Sequence, residues 1–188
     1  MKVLAICGST RSVSSNHHII KAVTTMATGI FSVELFDGLM NIPPFNPDQD
    51  LHAESAPPAV AGFRHLLREA DAVLISTPEY AIGVPGVLKN AIDWTVSSME
   101  FSGKPVALIT AGTSGHKAHQ SLLGTLLIIE SRITADAQLV ISGVKTKVSD
   151  SGTITDPATA DSLRRLITAL TAVVKEEDIA LMPHPTLF

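Results

Sequence analysis

The sequence predicts an α/β fold, a single domain over residues 1–188 in which five parallel strands form a doubly wound sheet in the order 2-1-3-4-5. Two observations predict this fold. Short apolar runs typical of buried strands alternate with segments of helical periodicity, and helical crossovers are the connections that a parallel sheet needs. Polar loops containing glycine follow three of these runs, as expected for ligand-binding loops at the carboxyl ends of the strands.

The first strand is the apolar run Val3–Cys7, which stops at Gly8. The loop that follows, Ser9–Asn16, is dense in hydroxyl and amide groups and carries a guanidinium at Arg11. It leads into a helix, whose free N–H groups and dipole favour an anion, and arginine can bind phosphate with two parallel hydrogen bonds. Because the Walker and dinucleotide glycine patterns are absent, we interpret the loop as a site for a terminal phosphate. The alternative is an ordinary strand–turn–helix joint whose side chains only cap the helix.

The other elements follow in order. The first helix carries apolar residues at three- and four-residue steps: Ile19, Ile20, Val23 and Met26. Further strands are predicted at Ser32–Phe36, Asp71–Thr77, Lys104–Ala111 and Ala137–Ile141, and further helices at about Ala59–Ala70, Val87–Ser98, His116–Ile133 and Ala158–Lys175. Asp37–Pro58 is a long irregular stretch, and loops of this length are commonly functional or held at an interface. The stretch Gly143–Asp156 is expected to form a hairpin-like excursion before the last helix.

The composition argues against several classes of protein. The formal charge is −4, from 14 Lys and Arg against 18 Asp and Glu, and without a basic run it argues against nucleic acid as a partner. Cys7 is the only cysteine, so the sequence offers neither a disulfide framework nor a thiolate metal cluster. The N-terminal apolar run is too short for a signal peptide, and no span approaches membrane length. We therefore expect a cytoplasmic protein with no membrane partner.

We also expect the chain to associate with copies of itself. Charged residues make up only 17% of the sequence, which suggests that part of the surface is covered. The apolar stripe from Leu122 to Ile129 is too wide for one sheet face, and Trp94 lies in the preceding predicted helix. These features predict a homodimer or homotetramer in which such helices pair about a symmetry axis.

Two motifs are specific enough to indicate a family. They are GSTRSVSSN, from Gly8 to Asn16, and TPEYAIGVPGVLKNAIDW, from Thr77 to Trp94. Together they resemble the NADPH-dependent FMN reductases of the flavodoxin-like fold, and the resemblance covers most of the chain in element order. It implies FMN as cofactor, NADPH or NADH as co-substrate, and a small acceptor such as a quinone, a flavin, chromate or an azo compound.

The resemblance also implies which residues bind the cofactor. The phosphate of FMN would contact Ser9, Arg11, Ser14 and Asn16, with Ser15 contributing through its backbone. Two further loops would lie beside the flavin ring: Pro78, Glu79, Tyr80, Ala81, Ile82 and Gly83 in one, and Gly112, Thr113 and Ser114 in the other. No side chain is expected to be catalytic, because the flavin carries the chemistry.

Two departures from the family pattern bear on the substrates. The family usually has Asn where Ala81 stands, and the pattern AG-x-x-GG is replaced here by Ala111–His116. Because neither change removes a backbone donor, we expect FMN binding to survive and the fit of the acceptor and the nicotinamide to change.

Several residues allow two interpretations. Tyr80 could stack on the ring or pack at a loop corner, Glu79 could brace a loop or lie at an interface, and Trp94 could belong to the core or to a subunit contact. Two histidine pairs, His17 with His18 and His116 with His119, have no accompanying carboxylates, so we expect no metal site.

A rival function is an FMN-binding carrier or sensor that does not oxidise nicotinamide. Carriers of this kind tend to be strongly acidic and to hold the ring between aromatic residues. With a charge of −4 and 4% aromatic residues, this sequence favours the reductase.

Overall fold

The computed structural model describes residues 1–51 and 55–185 of the chain. Within these residues the strands are β1 (Lys2–Cys7), β2 (Ser32–Phe36), β3 (Ala72–Thr77), β4 (Val106–Gly112) and β5 (Gln138–Ser142). The α-helices are α1 (Ser15–Met26), α2 (Pro58–Glu69), α3 (Gly86–Asp93), α4 (His116–Ile128) and α5 (Pro157–Val174). The strands form one parallel sheet in the order β2-β1-β3-β4-β5, which confirms the predicted fold.

Alternate side chains of the central strands point into two separate cores. Leu4, Ile75 and their neighbours pack against α2, α3 and α4 on one face, while Ala5, Leu74 and their neighbours pack against α1 and α5 on the other. Burial on both faces explains why these strands are continuous apolar runs rather than alternating ones. In the described part of the chain, no helix combines the length and hydropathy needed to cross a membrane.

Two helices end earlier than the sequence predicts. Helix α3 stops at Asp93 instead of Ser98, and α4 stops at Ile128 instead of Ile133. After α4, Glu130 adopts a left-handed φ of 66°, its N–H donates to Leu127 O, and the Ser131 N–H donates to Leu126 O. This is the Schellman arrangement, in which the left-handed position is usually glycine. Because glutamate occupies it here, the sequence carries no signal for the stop.

The residues that suggested a subunit contact lie mainly in the core of the chain itself. Leu122 and Leu126 are fully buried, and so is Trp94, whose indole N–H donates to the Pro43 carbonyl over 2.9 Å. Of the two interpretations of Trp94, the core residue is confirmed. The apolar stripe of α4 therefore gives little support to a partner helix, although Ile128 at its end is exposed.

The long stretch after β2 is fixed against α2 and α3. Asn90 accepts a bond from the Phe45 N–H over 2.8 Å and donates one to the Pro43 carbonyl over 2.9 Å. Arg64 pairs with Asp50 over 2.6 Å, and both side chains are almost fully buried. Residues 52–54 of this stretch lie outside the described part of the chain.

Candidate active site

A cleft of about 670 Å³ opens where the loops after β1, β3, β4 and β5 meet. Such a volume is typical of small-molecule sites, roughly 300–1,000 Å³. The chain leaves β1 toward one face of the sheet, to α1, and leaves β3 toward the other face, to α3. The cleft therefore lies at the point where the winding direction reverses, where ligands bind in open α/β sheets.

Most of the predicted site residues line this cleft. Those lining it are Ser9, Arg11, Ser14, Ser15, Asn16, Pro78, Glu79, Tyr80, Gly112 and Thr113; those outside its lining are Ala81, Ile82, Gly83 and Ser114. The sequence interpretation missed a further wall, formed by the segment after β5 and by His18.

The loop after β1 is arranged as an anion site. Ser14 is the N-cap of α1, and its hydroxyl oxygen accepts a bond from the Asn16 N–H over 3.2 Å. The hydroxyl groups of Ser14 and Ser9 belong to almost fully buried residues. The Ser15 and His17 N–H groups lie in the first helical turn, where no intrahelical acceptor exists. Within the described residues, the exposed Arg11 guanidinium forms no ion pair.

Asn16 holds three elements together. Its amide nitrogen donates to the Ala111 carbonyl over 3.2 Å, and its amide oxygen accepts from the Ser76 hydroxyl over 2.9 Å. The side chain thus joins the start of α1 to the ends of β3 and β4. Its predicted contact with a phosphate would have to use the remaining amide hydrogen, because the other amide hydrogen and the amide oxygen already position the loop.

Beneath this loop, Gly8 packs directly on β3. Its N–H donates to Ser76 O over 2.8 Å. A β-carbon at Gly8 would stand only 2.2 Å from Thr77 Oγ1 and 2.7 Å from Thr77 Cβ. The neighbouring Cys7 thiol is buried, which raises its pKa to about 11, so it is not a reactive thiolate.

Glu79 braces the loop after β3 against the start of α4. Its carboxylate accepts the N–H groups of Lys117 over 2.8 Å, Ala118 over 2.9 Å and Gly115 over 3.4 Å. These bonds, with that from Ala118 the largest cause, hold the pKa of Glu79 below its ordinary value of 4.5. Gly115, the N-cap of α4, has no side chain to perform this task, so Glu79 caps the helix from another loop. The interpretation of Glu79 as a loop brace is confirmed.

The residues from Tyr80 to Gly83 form a tight two-residue hairpin. Tyr80 and Gly83 exchange two backbone hydrogen bonds, of 2.9 and 3.0 Å, and the central residues Ala81 and Ile82 have φ values of 50° and 62°. Two successive positive φ values define a type I′ turn, which favours Asn and Gly. The Asn that the family usually has at this position would favour the positive φ. Ala81 provides neither that preference nor the side-chain amide. Ile82 is β-branched, strained and 74% exposed.

The loop after β4 is supported by a buried histidine. His119 Nε2 lies 2.6 Å from Gln138 Oε1, and Nδ1 lies 3.0 Å from Thr110 Oγ1. Because a carboxamide oxygen can only accept, Nε2 carries the proton and Nδ1 accepts from the threonine. Burial lowers the pKa of His119, which favours this neutral form. His116 lies outside the cleft lining, with its Nε2 3.4 Å from Ser142 Oγ.

The histidines form no metal centre in the described part of the chain. There, no three His, Cys, Asp or Glu side chains are close enough to hold an ion together. His119 is occupied by its two hydrogen bonds, and His18 lines the cleft singly.

Comparison with known proteins identifies the family. Residues 1–146, more than half of the chain, match the family model described as NADPH-dependent FMN reductase. The chain belongs to this family. It is accordingly an oxidoreductase that uses FMN as its cofactor and a reduced nicotinamide as its electron donor.

Individual relatives of this FMN reductase cover nearly its whole length. An NAD(P)H-dependent FMN reductase of Pseudomonas aeruginosa is 36% identical over 90% of this chain and 93% of its own. A quinone reductase of Escherichia coli is 29% identical over 90% of this chain and 93% of its own. Among solved structures, FerB of Paracoccus denitrificans, a flavoenzyme NAD(P)H:(acceptor) oxidoreductase, superposes with a TM-score of 0.76 at 26% identity, covering 94% of this chain and 98% of its own.

The residues of the cleft fit FMN. Ser9, Ser14, the first turn of α1 and Arg11 together provide hydroxyl, backbone and guanidinium donors in one place, which is the donor set a phosphate monoester requires. Gly112 and Thr113 also line the cleft, and their backbone offers polar groups beside this donor set.

Proposed function

We propose that this FMN reductase binds FMN in the cleft and uses NADPH or NADH to reduce a small, flat acceptor of the quinone class. The observation that carries the proposal is that the anion loop and the loops after β3 and β4 open into one cleft. The similarity to the quinone reductase of Escherichia coli supports this acceptor class. The whole chain, residues 1–188, would then be one FMN-binding domain.

Each loop would contribute a different part of the site. Ser9, Arg11, Ser14 and Ser15 would hold the phosphate, positioned by Asn16. When bound, FMN supplies a ring that accepts a hydride from a reduced nicotinamide and gives two electrons to an acceptor. The backbone at Gly112 and Thr113 would stabilise negative charge without a titrating side chain.

Residues of the second loop would shape the substrate end of the cleft. Tyr80 is 44% exposed and lines the cleft, so its ring is available to pack against a flat ligand. Glu79 fixes the spacing between this loop and the loop after β4. The turn formed by Ala81 and Ile82 lies just outside the lining and would control access rather than bind the cofactor.

Because the nicotinamide and the acceptor are both flat and must reach the same part of the cleft, they should bind in turn. Double-reciprocal plots for NADPH at several quinone concentrations are then expected to be parallel, the signature of a ping-pong reaction. Excess quinone is expected to inhibit competitively against NADPH. Intersecting lines would show that both substrates bind together and would contradict the shared site.

We further propose that the chain forms a homodimer or homotetramer and acts in the cytoplasm. Since the α4 stripe is mainly core, pairing would have to use other apolar side chains that are exposed, such as Met40, Phe45, Leu51, Val96 and Met99. Sedimentation of the FMN-loaded protein at micromolar concentration should give at least twice the chain mass. A mass equal to one chain would contradict this assembly.

A further inference from the structure

The segment after β5 forms a fixed wall of the cleft. It is held by the Gly143 N–H, which donates to the Thr113 carbonyl over 3.2 Å, and by the Ser142 hydroxyl, which donates to the Ser114 carbonyl over 2.8 Å. Val144 and Val148 are both 5% exposed and anchor the segment in the core beside α1 and α5. Lys145 and Thr146, which lie between these two anchors and face solvent, are therefore held at a defined place.

Of these two residues Lys145 carries the charge, and it lines the cleft and is exposed. Within the described residues its ammonium group forms no ion pair. Nearby Lys147 differs: it is half-buried, it is absent from the cleft lining, and its charge acts on Asp156. Lys145 is thus the lysine of this segment that is free to meet a ligand in the cleft.

The cleft has to accommodate two phosphate monoesters when NADPH is the donor. FMN carries one at its 5′ end, and NADPH carries a second at the 2′ position that NADH lacks. Two such groups repel each other, and the loop Ser9–Asn16 provides one guanidinium and one helix start, enough for a single phosphate. The second phosphate requires a cation of its own.

Lys145 is the cation of the cleft lining that remains for this second phosphate. Apart from Arg11 and Lys145, the titratable groups of the lining are His18, Glu79, Tyr80 and Asp150. The Glu79 carboxylate is occupied by the first turn of α4, where it accepts the Lys117 N–H. Asp150 is exposed at the end of the same wall, and its negative charge would repel a phosphate there. A phosphate bound at this wall would therefore have to lie beside Lys145.

We propose that Lys145 binds the 2′-phosphate of NADPH and thereby sets the preference of this enzyme for NADPH over NADH. The inference rests on the proposed function, because it assumes that the nicotinamide nucleotide enters the FMN-loaded cleft. It makes Lys145 a specificity residue rather than a catalytic one, since it does not touch the reacting atoms.

Calorimetric titration of the FMN-loaded protein with NADP⁺ and with NAD⁺ tests this assignment. Lys145→Ala is expected to raise the Kd for NADP⁺ about tenfold, the usual effect of losing one charge-assisted hydrogen bond. The Kd for NAD⁺ should stay nearly unchanged. Lys145→Arg should retain the preference, and the matched control Lys147→Ala should bind both nucleotides as the wild type does.

The FMN affinity of each variant identifies which phosphate Lys145 serves. Weaker FMN binding in Lys145→Ala with an unchanged ratio of NADP⁺ to NAD⁺ affinity would assign Lys145 to the cofactor phosphate and overturn the proposal. Equal weakening of both nucleotides, or no weakening of either, would overturn it too. If the FMN-loaded wild type bound neither nucleotide, the proposed function itself would be wrong and this inference would fall with it.

Discussion

Replacing Arg11 by alanine is expected to raise the Kd for FMN about ten- to hundredfold. The guanidinium is exposed at the cleft, has no ion pair within the described residues, and would meet a doubly charged phosphate. A hydrogen bond to a charged group contributes about 1.5–3 kcal/mol, which corresponds to this change. Fluorescence titration of the apoprotein with FMN measures it directly.

Riboflavin provides the control for Arg11→Ala, because it has the ring of FMN but no phosphate. It should bind the wild type and the variant equally. Arg165→Ala, on the exposed face of α5, should leave FMN binding unchanged. An unchanged Kd for FMN in Arg11→Ala would show that the phosphate lies elsewhere.

Replacing Gly8 by alanine is expected to destabilise the protein by about 2 kcal/mol or more, since overpacking of a well-packed core usually costs about 1–3 kcal/mol. The added methyl group would overlap Thr77, which is fully buried and cannot move away easily. In a chain of this length the melting temperature should fall by roughly 4–8 °C. FMN binding should weaken as well, because the displaced backbone begins the anion loop.

Gly62 offers a matched control for this substitution. It lies in α2, is exposed, and has no atom within 4 Å of an added β-carbon. Gly62→Ala should therefore stabilise the protein by roughly 0.5–1 kcal/mol, the difference in helix propensity. If the Gly8→Ala protein had the same melting temperature as the wild type, β1 and β3 would be less tightly packed than described.

The sheet could be predicted because its signals are local. Continuous apolar runs such as Val3–Cys7 follow from burial on both faces, and their alternation with helical segments indicates a parallel sheet. The end of α4 could not be predicted, because Glu130 takes the place of the usual glycine. The Tyr80–Gly83 turn could not be predicted either, because neither Ala81 nor Ile82 favours a positive φ.

The site was only partly predictable. Its three loops follow strand ends, and that rule places Ser9, Pro78 and Gly112 together from the sequence alone. The partners of Asn16 are 60 and 95 residues away, so its tie to Ser76 and Ala111 is visible only in the folded chain. The wall carrying Lys145 also follows a strand end, and applying the same rule to β5 would have found it.

This FMN reductase is expected to oxidise nicotinamide within its own cleft. Mixing the FMN-loaded protein with NADPH in the absence of oxygen tests it most directly. The yellow absorbance of the flavin is expected to disappear rapidly and to return when a quinone is added. Flavin that stays yellow in the presence of excess NADPH would contradict the account and would favour a carrier or sensor that binds FMN without reacting with nicotinamide.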